Sequence, residues 1–265
     1  MRVARGPPVN MAQGGLLPVD WDAPASVGAL MSTRQGGCGA GPFDSFNLGD
    51  HVGDDPATVA ANRATWSARM PGARLAWLTQ VHGAVVVEAA QVVRAALQGE
   101  RPPQADGSWT VEPGVACVVQ VADCLPALFA ARNGRAVGAA HAGWRGLAAG
   151  VLERTAEAVA QAAQCEPADL ACWLGPCIGP RQFEVGADVV QAFGGGERFL
   201  SRPRPDGQVR WLADLPGLAR DRLQAFGLRH MVGGTWCTVE DRSRFFSFRR
   251  DGVTGRMAAA VWLRA

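Results

Sequence analysis

Two apolar runs joined by Asn133-Gly134 constrain the fold of this chain more than any other stretch. ALFAAR (127–132) leads into the Asn-Gly pair and RAVGAAH (135–141) leads out of it. Asn-Gly between two such runs is the strongest local signal for a two-residue β-hairpin, because both turn positions need positive φ. A hairpin with this tip sets Arg132 opposite Arg135 and His141 opposite Pro126. Paired positions share one face of a sheet, as do positions two apart on a strand. Cys124 then lies diagonal to His141 on the same face, about 7–8 Å away between backbones. The hairpin therefore brings a thiol and an imidazole together at one end of a sheet.

The surrounding pattern mixes strands and helices. Strands are predicted at 27–34, 75–82, 84–90, 114–124, 127–132, 135–141, 231–238 and 257–263, with a break at Leu125-Pro126. A glycine-rich loop fills 35–55, and Asp55-Pro56 opens a helix running to about Met70. Further helices are predicted at 147–164, 186–193 and 212–226, with loops at 98–109 and 194–209. Hairpins among helices favour an α+β fold over a doubly wound parallel sheet.

Composition excludes several classes of function. A net charge of +2 gives no basic surface for nucleic acid or an anionic membrane. No apolar run reaches the ~20 residues of a membrane span, and the first residues lack the hydrophobic core of a signal peptide. Residues 1–20 are expected to form a disordered leader, with Met11 an alternative initiator, and residues 21–265 a single catalytic domain. Seven cysteines without a CxxC motif read as reduced thiols in a cytoplasmic protein. Cys165, Cys172 and Cys177 are expected to pack rather than react.

Two chemistries suit a paired cysteine and histidine. One is metal binding, which needs a third ligand. Of the other histidines, His51 lies in the glycine-rich loop and His230 follows a helix. His82 ends a strand before a glycine, the same setting as His141, and is the best third candidate. A His/Cys/His set leaves one tetrahedral position open, as a catalytic rather than a structural zinc requires. The alternative is a Cys124 thiolate with His141 as its base. The ligand spacings of 42 and 17 residues match no short metal motif.

Seven segments in order carry a resemblance that spans residues 27–263: STRQGGCGAGPFDSFNLGDHVGDDPATVAANR, TQVHG, ADG, ADCLP, HAGWRG, GPCIGP followed by FEVG, and FFSFRRDGVTGRMA. Together they closely resemble the YfiH family, also called the laccase-domain or polyphenol oxidase-like family. The resemblance implies an α+β domain with mixed sheets stacked between helical layers (αββα), similar to the catalytic domain of cytotoxic necrotizing factor toxins. It also implies that His82, Cys124 and His141 bind a metal, usually taken as Zn2+, with Cu2+ the alternative. The implied activity is phosphorolysis of adenosine, inosine and methylthioadenosine, with adenosine deamination beside it. Phenol oxidation and editing of peptidoglycan precursors are further activities attributed to the family. Phe248 stands where members often carry Tyr.

The implied partners are purine nucleosides and phosphate, handled by a monomer or small homo-oligomer. Guanidinium groups suit phosphate, and Arg34 and Arg145 are the leading candidates, with Arg63 behind them. The expected catalytic residues are Cys124, His141, Asp123 and Arg145. Those expected at the substrate are Arg34, Asn47, Arg63, Gln80 and Asp106, with Asn47 alternatively bracing the glycine-rich loop. Trp144 is expected to wall a purine pocket. Four histidines with no HxH pair are too few for the ligand set of a four-copper oxidase, although one copper at the trio remains open. The H-x-E…P-C-x-x-C signature of zinc deaminases is absent, so deamination would use a different arrangement. The runner-up reading is a Cys-His hydrolase acting on an amide.

Overall fold

The computed structural model describes residues 15–264. The chain runs through β1 (Leu16–Leu17), β2 (Val27–Ser32), α1 (Pro56–Ser67), β3 (Arg74–Ala76), β4 (Val86–Glu88) and α2 (Ala89–Leu97). It continues with β5 (Gly107–Thr110), β6 (Val115–Val121), β7 (Leu125–Ala131), β8 (Val137–Ala142), α3 (Trp144–Ala148), α4 (Val151–Ala163) and β9 (Leu170–Leu174). The last elements are β10 (Glu184–Val185), α5 (Ala187–Ala192), β11 (Phe199–Pro203), β12 (Val209–Ala213), α6 (Leu215–Phe226), β13 (His230–Gly233), α7 (Phe248–Asp251) and β14 (Met257–Leu263).

The strands form three sheets in a mixed α+β domain. One has the order β1-β2-β14-β6-β3 and the largest β13-β9-β7-β8-β5-β4, while β10, β12 and β11 make a small third sheet. β6, β7, β8 and β14 are buried along their whole length. Alternation divides their side chains between two cores. Cys117, Val119 and Val121 of β6 meet Leu128 and Ala130 of β7 between the two large sheets, where α2 also buries Val92 and Val93. Leu125, Ala127 and Phe129 face the opposite way, toward α4 and α6. The outer face of the first sheet is covered by Phe46, Leu48 and Trp66 of the glycine-rich loop and α1. Gly138 lets α4 approach β8, since a Cβ there would stand 2.6 Å from Val159 Cγ2.

The hairpin register is the one the Asn-Gly pair predicts, with Pro126 opposite His141. Its tip differs. Asn133 does not adopt positive φ, whereas Gly134 does at 73°. Ala131 instead accepts from Gly134 N and donates to Ala136 O, giving a four-residue loop in the same register. The Asn133 side chain explains the change: Nδ2 donates to Ala163 O at the end of α4, and Oδ1 accepts from Arg135 N. β7 also runs through Pro126, where a break was expected. Pro126 is the strand's second residue, a position near a strand start that tolerates a missing N–H.

Other boundaries move for physical reasons. The strand predicted at 84–90 ends at Glu88 and α2 begins directly, because AAQVVRAAL has helical spacing and strong helix formers. The helix predicted at 147–164 is split by Gly150, whose φ of 89° no helix accommodates. The loop expected at 194–209 contains β11, which pairs antiparallel with β12. Of the expected leader, residues 1–14 lie outside the described residues. Leu16 and Leu17 pair with Ser32 and Met31 as an edge strand, Leu17 being buried in the interlayer core. Among the described residues no helix is long and apolar enough to cross a membrane.

Candidate metal centre

The site forms where the chain twice crosses from one large sheet to the other. Between β6 and β7 only three residues make the crossing, and Asp123 takes φ 101° to turn the chain. A non-glycine residue holds this conformation only when its surroundings over-determine it. Asp123 Oδ1 accepts from Thr238 Oγ1 and Oδ2 from Arg249 N, both at 2.6 Å, while its carbonyl accepts from Ile178 N. Cys124 is thereby held at the mouth of the interlayer. The second crossing, between β3 and β4, carries His82 at φ 60°.

Asp106 ties that loop to His141. It is fully buried, and its Oδ1 accepts from His82 N at 2.9 Å. Its Oδ2 accepts from Gly83 N at 2.7 Å and from Val81 N at 3.2 Å. Oδ1 also lies 2.8 Å from His141 Nδ1. Asp106 is held below the ordinary carboxylate range because the hydrogen bonds from His141 and the loop amides outweigh the opposing effect of burial. An ionised carboxylate only accepts, so Nδ1 carries a proton on the Asp106 side and Nε2 is the nitrogen turned to the cluster.

The His82, Cys124 and His141 donor atoms all lie within 4.8 Å of one another. His82 Nε2 stands 3.7 Å from Cys124 Sγ, and the two imidazole rings meet edge to face at 4.9 Å. Burial alone would push the Cys124 thiol up. The charge of His141 and hydrogen bonds from both imidazoles outweigh it and draw the thiol down to about 6. Burial likewise opposes protonation of His141, but Cys124 and Asp106 together raise it. Tetrahedral zinc, with bonds of about 2.3 Å to sulfur and about 2.0 Å to nitrogen, separates such donors by roughly 3.5 Å. An imidazole nitrogen turned to the cluster, whose proton a metal ion would displace, a lowered thiol and this spacing all fit a metal ion, and the cluster could hold one.

The glycines of HAGWRG now have a cause. A Cβ on Gly143 would lie 2.8 Å from His82 Cδ2 and 3.0 Å from Cys124 Sγ. One on Gly146 would lie 2.7 Å from Gly83 O, in the loop that carries His82. Both positions must be bare for the trio to close.

The trio opens into a cavity of ≈ 520 Å³, within the size range of small-molecule sites. Asp123, Arg145, Gln80 and Trp144, all singled out in the sequence, line it. The Gln80 side chain is spent on the Gln120 backbone, accepting at 2.7 Å and donating at 2.8 Å. Four expected substrate residues do not line the cavity. Asp106 lies behind His141. Arg34 donates to the carbonyls of Asp44 and Arg242 and stacks on Phe246. Arg63 donates to Leu48 O, pairs with Asp50 and lies over Trp77. Asn47 braces the glycine-rich loop through Gly49 and Asp54. Phe183, Arg249 and Arg256 line the cavity but were not singled out in the sequence, and Phe248 was noted only as a substitution.

Fold and centre define an α+β protein of two large sheets and one small one, with a His–Cys–His cluster open to a cavity at one end of the layer between the large sheets. The chain belongs to the YfiH, or laccase-domain, family. Residues 28–264 match the family model described as "Multi-copper polyphenol oxidoreductase laccase". A Pseudomonas aeruginosa protein named purine nucleoside phosphorylase is 49% identical over 251 residues, covering 92% of this chain and 97% of its own. Escherichia coli YfiH, also named purine nucleoside phosphorylase, is 44% identical and covers 94% of this chain and 98% of its own. The crystal structure of Neisseria meningitidis protein NMB0706 superposes with a TM-score of 0.85 at 44% identity, covering 95% of this chain and all of the other. That of YlmD from Geobacillus stearothermophilus gives 0.81 at 34% identity, covering 91% of this chain and 93% of the other.

Proposed function

We propose that this protein is a zinc-dependent purine nucleoside phosphorylase, acting on adenosine, inosine and methylthioadenosine, with adenosine deamination as a side activity. The observation that carries the reading is the His82–Cys124–His141 cluster, braced by Asp106 and open to the cavity. The names of the Pseudomonas aeruginosa and Escherichia coli relatives support it. The reading treats residues 21–265 as one cytoplasmic catalytic domain, with the αββα layering of the cytotoxic necrotizing factor catalytic domain.

In phosphorolysis the bond from the ribose C1′ to the purine nitrogen breaks, a C1′–oxygen bond to phosphate forms, and a proton goes to the departing purine. His82, Cys124 and His141 would hold the metal, which when bound supplies Lewis acidity and lowers the pKa of a coordinated water. Asp106 keeps the His141 Nδ1 protonated and its ring aimed. Trp144, Phe183 and the exposed Phe248 offer aromatic faces to a flat base. Arg145 would bind an anionic group of the substrates.

Zinc content and product analysis test this. One zinc per chain and ribose 1-phosphate formed from inosine only with phosphate are the expected results. A metal-free protein of full activity would overturn the zinc assignment, and free ribose as the sole product would overturn phosphorolysis. A second reading is favoured by a specific geometry: a lowered Cys124 thiol beside a His141 whose Nδ1 meets Asp106 at 2.8 Å. That set is a Cys-His-Asp arrangement for amide hydrolysis of a cell-wall precursor. Chelation separates the two, since it abolishes the zinc reaction and frees the thiol for the hydrolytic one.

A further inference from the structure

Three guanidinium groups line the cavity beside the trio, and among the described residues none of them is paired with a carboxylate. Elsewhere the partly buried arginines Arg63, Arg222 and Arg250 pair with Asp50, Glu153 and Asp251. Asp123 is the one acidic residue among those lining the cavity, and both its oxygens are already engaged. The metal ligands bring a single thiolate. The cavity therefore carries positive charge that the protein itself leaves unneutralised, the condition for holding an anionic ligand.

Arg256 is the most deliberately placed of the three. Its N–H donates to Asn47 Oδ1 at 2.8 Å, and its carbonyl accepts from Leu48 N. A Cβ on Gly49 would stand 2.7 Å from Arg256 Cγ, so this glycine makes room for the side chain. Nη1 donates to the carbonyls of Thr254 and Gly255, which orients the fork and leaves Nε and Nη2 without an acceptor among the described residues. Arg145 lies 4.4 Å over the Trp144 ring and has no hydrogen-bond acceptor among the described residues. Arg249 is held from both ends, its N–H on Asp123 and its Nη1 on Glu184 O, with Phe183 beneath it.

We propose that Arg145, Arg249 and Arg256 form the subsite that binds inorganic phosphate beside the metal centre. Three forks converging on one cavity match the several equivalent oxygens of a phosphate better than the two of a carboxylate. The subsite rests on the phosphorolysis reading and deepens it, because it decides whether phosphate or water takes the ribosyl group. It also gives Asn47 and Gly49 a role, that of placing Arg256.

The test uses the zinc-loaded full chain and the variants Arg256→Gln, Arg256→Lys and Arg145→Gln, each checked for zinc content and circular dichroism. With inosine at varied phosphate, Arg256→Gln and Arg145→Gln should raise the KM for phosphate about tenfold or more. The KM for inosine should stay within about twofold, and product should shift from ribose 1-phosphate toward free ribose. Arg256→Lys should fall between wild type and Arg256→Gln. Arg145→Gln, at an exposed position, keeps the test available if Arg256→Gln does not fold. An unchanged phosphate KM in the folded Gln variants overturns the subsite. If the wild type turns over no nucleoside, the phosphorolysis reading fails, and calorimetric titration of inorganic phosphate decides the subsite alone. One phosphate bound per wild-type chain, and lost in the Gln variants, supports it. No binding by the wild type, or undiminished binding by the variants, overturns it.

Discussion

Gly143→Ala separates the metal centre from the fold that carries it. Gly143 has φ −68° and ψ 163°, a conformation open to any residue, so alanine introduces no backbone strain. The whole effect comes from one methyl group placed 2.8 Å from His82 Cδ2 and 3.0 Å from Cys124 Sγ. Ordinary carbon contacts begin near ~3.5 Å, so one or both ligands must retreat by roughly half an ångström. Metal–ligand distances tolerate only about ±0.2 Å. A loss of about 10- to 100-fold in zinc affinity follows, or about 1.4–2.7 kcal/mol. The metal-free protein should be affected less. Crowding costs about 1–3 kcal/mol, and the stiffer unfolded chain offsets about 0.4–1 kcal/mol of it. The assay is competition for zinc against a chromophoric chelator, with melting of the metal-free protein as the control for folding. Gly143→Ala holding zinc at wild-type affinity would refute the placement of His82 and Cys124 as neighbouring ligands.

Three further outcomes are expected. Asp106→Asn turns an amide N–H toward donors that a carboxylate satisfies, so zinc affinity should fall about 10- to 100-fold. Each orphaned buried donor should also cost about 1–3 kcal/mol in denaturant unfolding, and an unchanged zinc affinity would deny Asp106 its role in holding the ligands. Asn133→Ala removes the bonds to Ala163 O and Arg135 N and should cost about 1 kcal/mol, or about 2–4 °C in Tm. Asp251 is held below its ordinary value of 3.8, first by hydrogen bonds from Arg250. A depressed carboxylate contributes stability that is complete above its unfolded pKa and is lost as pH falls through the folded one. Asp251→Asn should therefore melt below wild type at pH 6, with the gap closing from about pH 4 downward; a gap independent of pH would contradict this.

What the sequence made legible was local geometry with a single consequence. The Asn133-Gly134 register brought Cys124 to His141, and it survives even though the tip adopts a different turn, because the side chains of β7 and β8 alternate between two cores and a one-residue slip would exchange them. The proximity of Cys124 and His141 within the candidate cluster was legible for the same reason: the two sit at the ends of one hairpin. Gln80 and Asp106 were found as residues near the site but with roles the sequence could not distinguish. Asp106 works from behind, through one imidazole and three backbone amides, and nothing in the spelling of ADG separates a carboxylate facing substrate from one facing a ligand's far nitrogen.

The arginines show where such reasoning stops and why. Arg34 and Arg63 stand next to the glycine-rich loop, a setting that resembles an anion site when only neighbours in sequence are visible. In the fold their guanidinium groups turn to backbone carbonyls, to Asp50 and to aromatic faces rather than to the cavity. Arg249 and Arg256 lie more than a hundred residues from Cys124 and reach its cavity only because Asp123 accepts the Arg249 amide and Asn47 the Arg256 amide. An arginine's availability depends on which acceptors the fold has already given it, and those acceptors come from parts of the chain far from it. The doublet in FFSFRRDG illustrates the point within two adjacent residues. Arg250 turns to Asp251 and the carbonyls of Thr238, Val239 and Phe245, while Arg249 turns to the cavity.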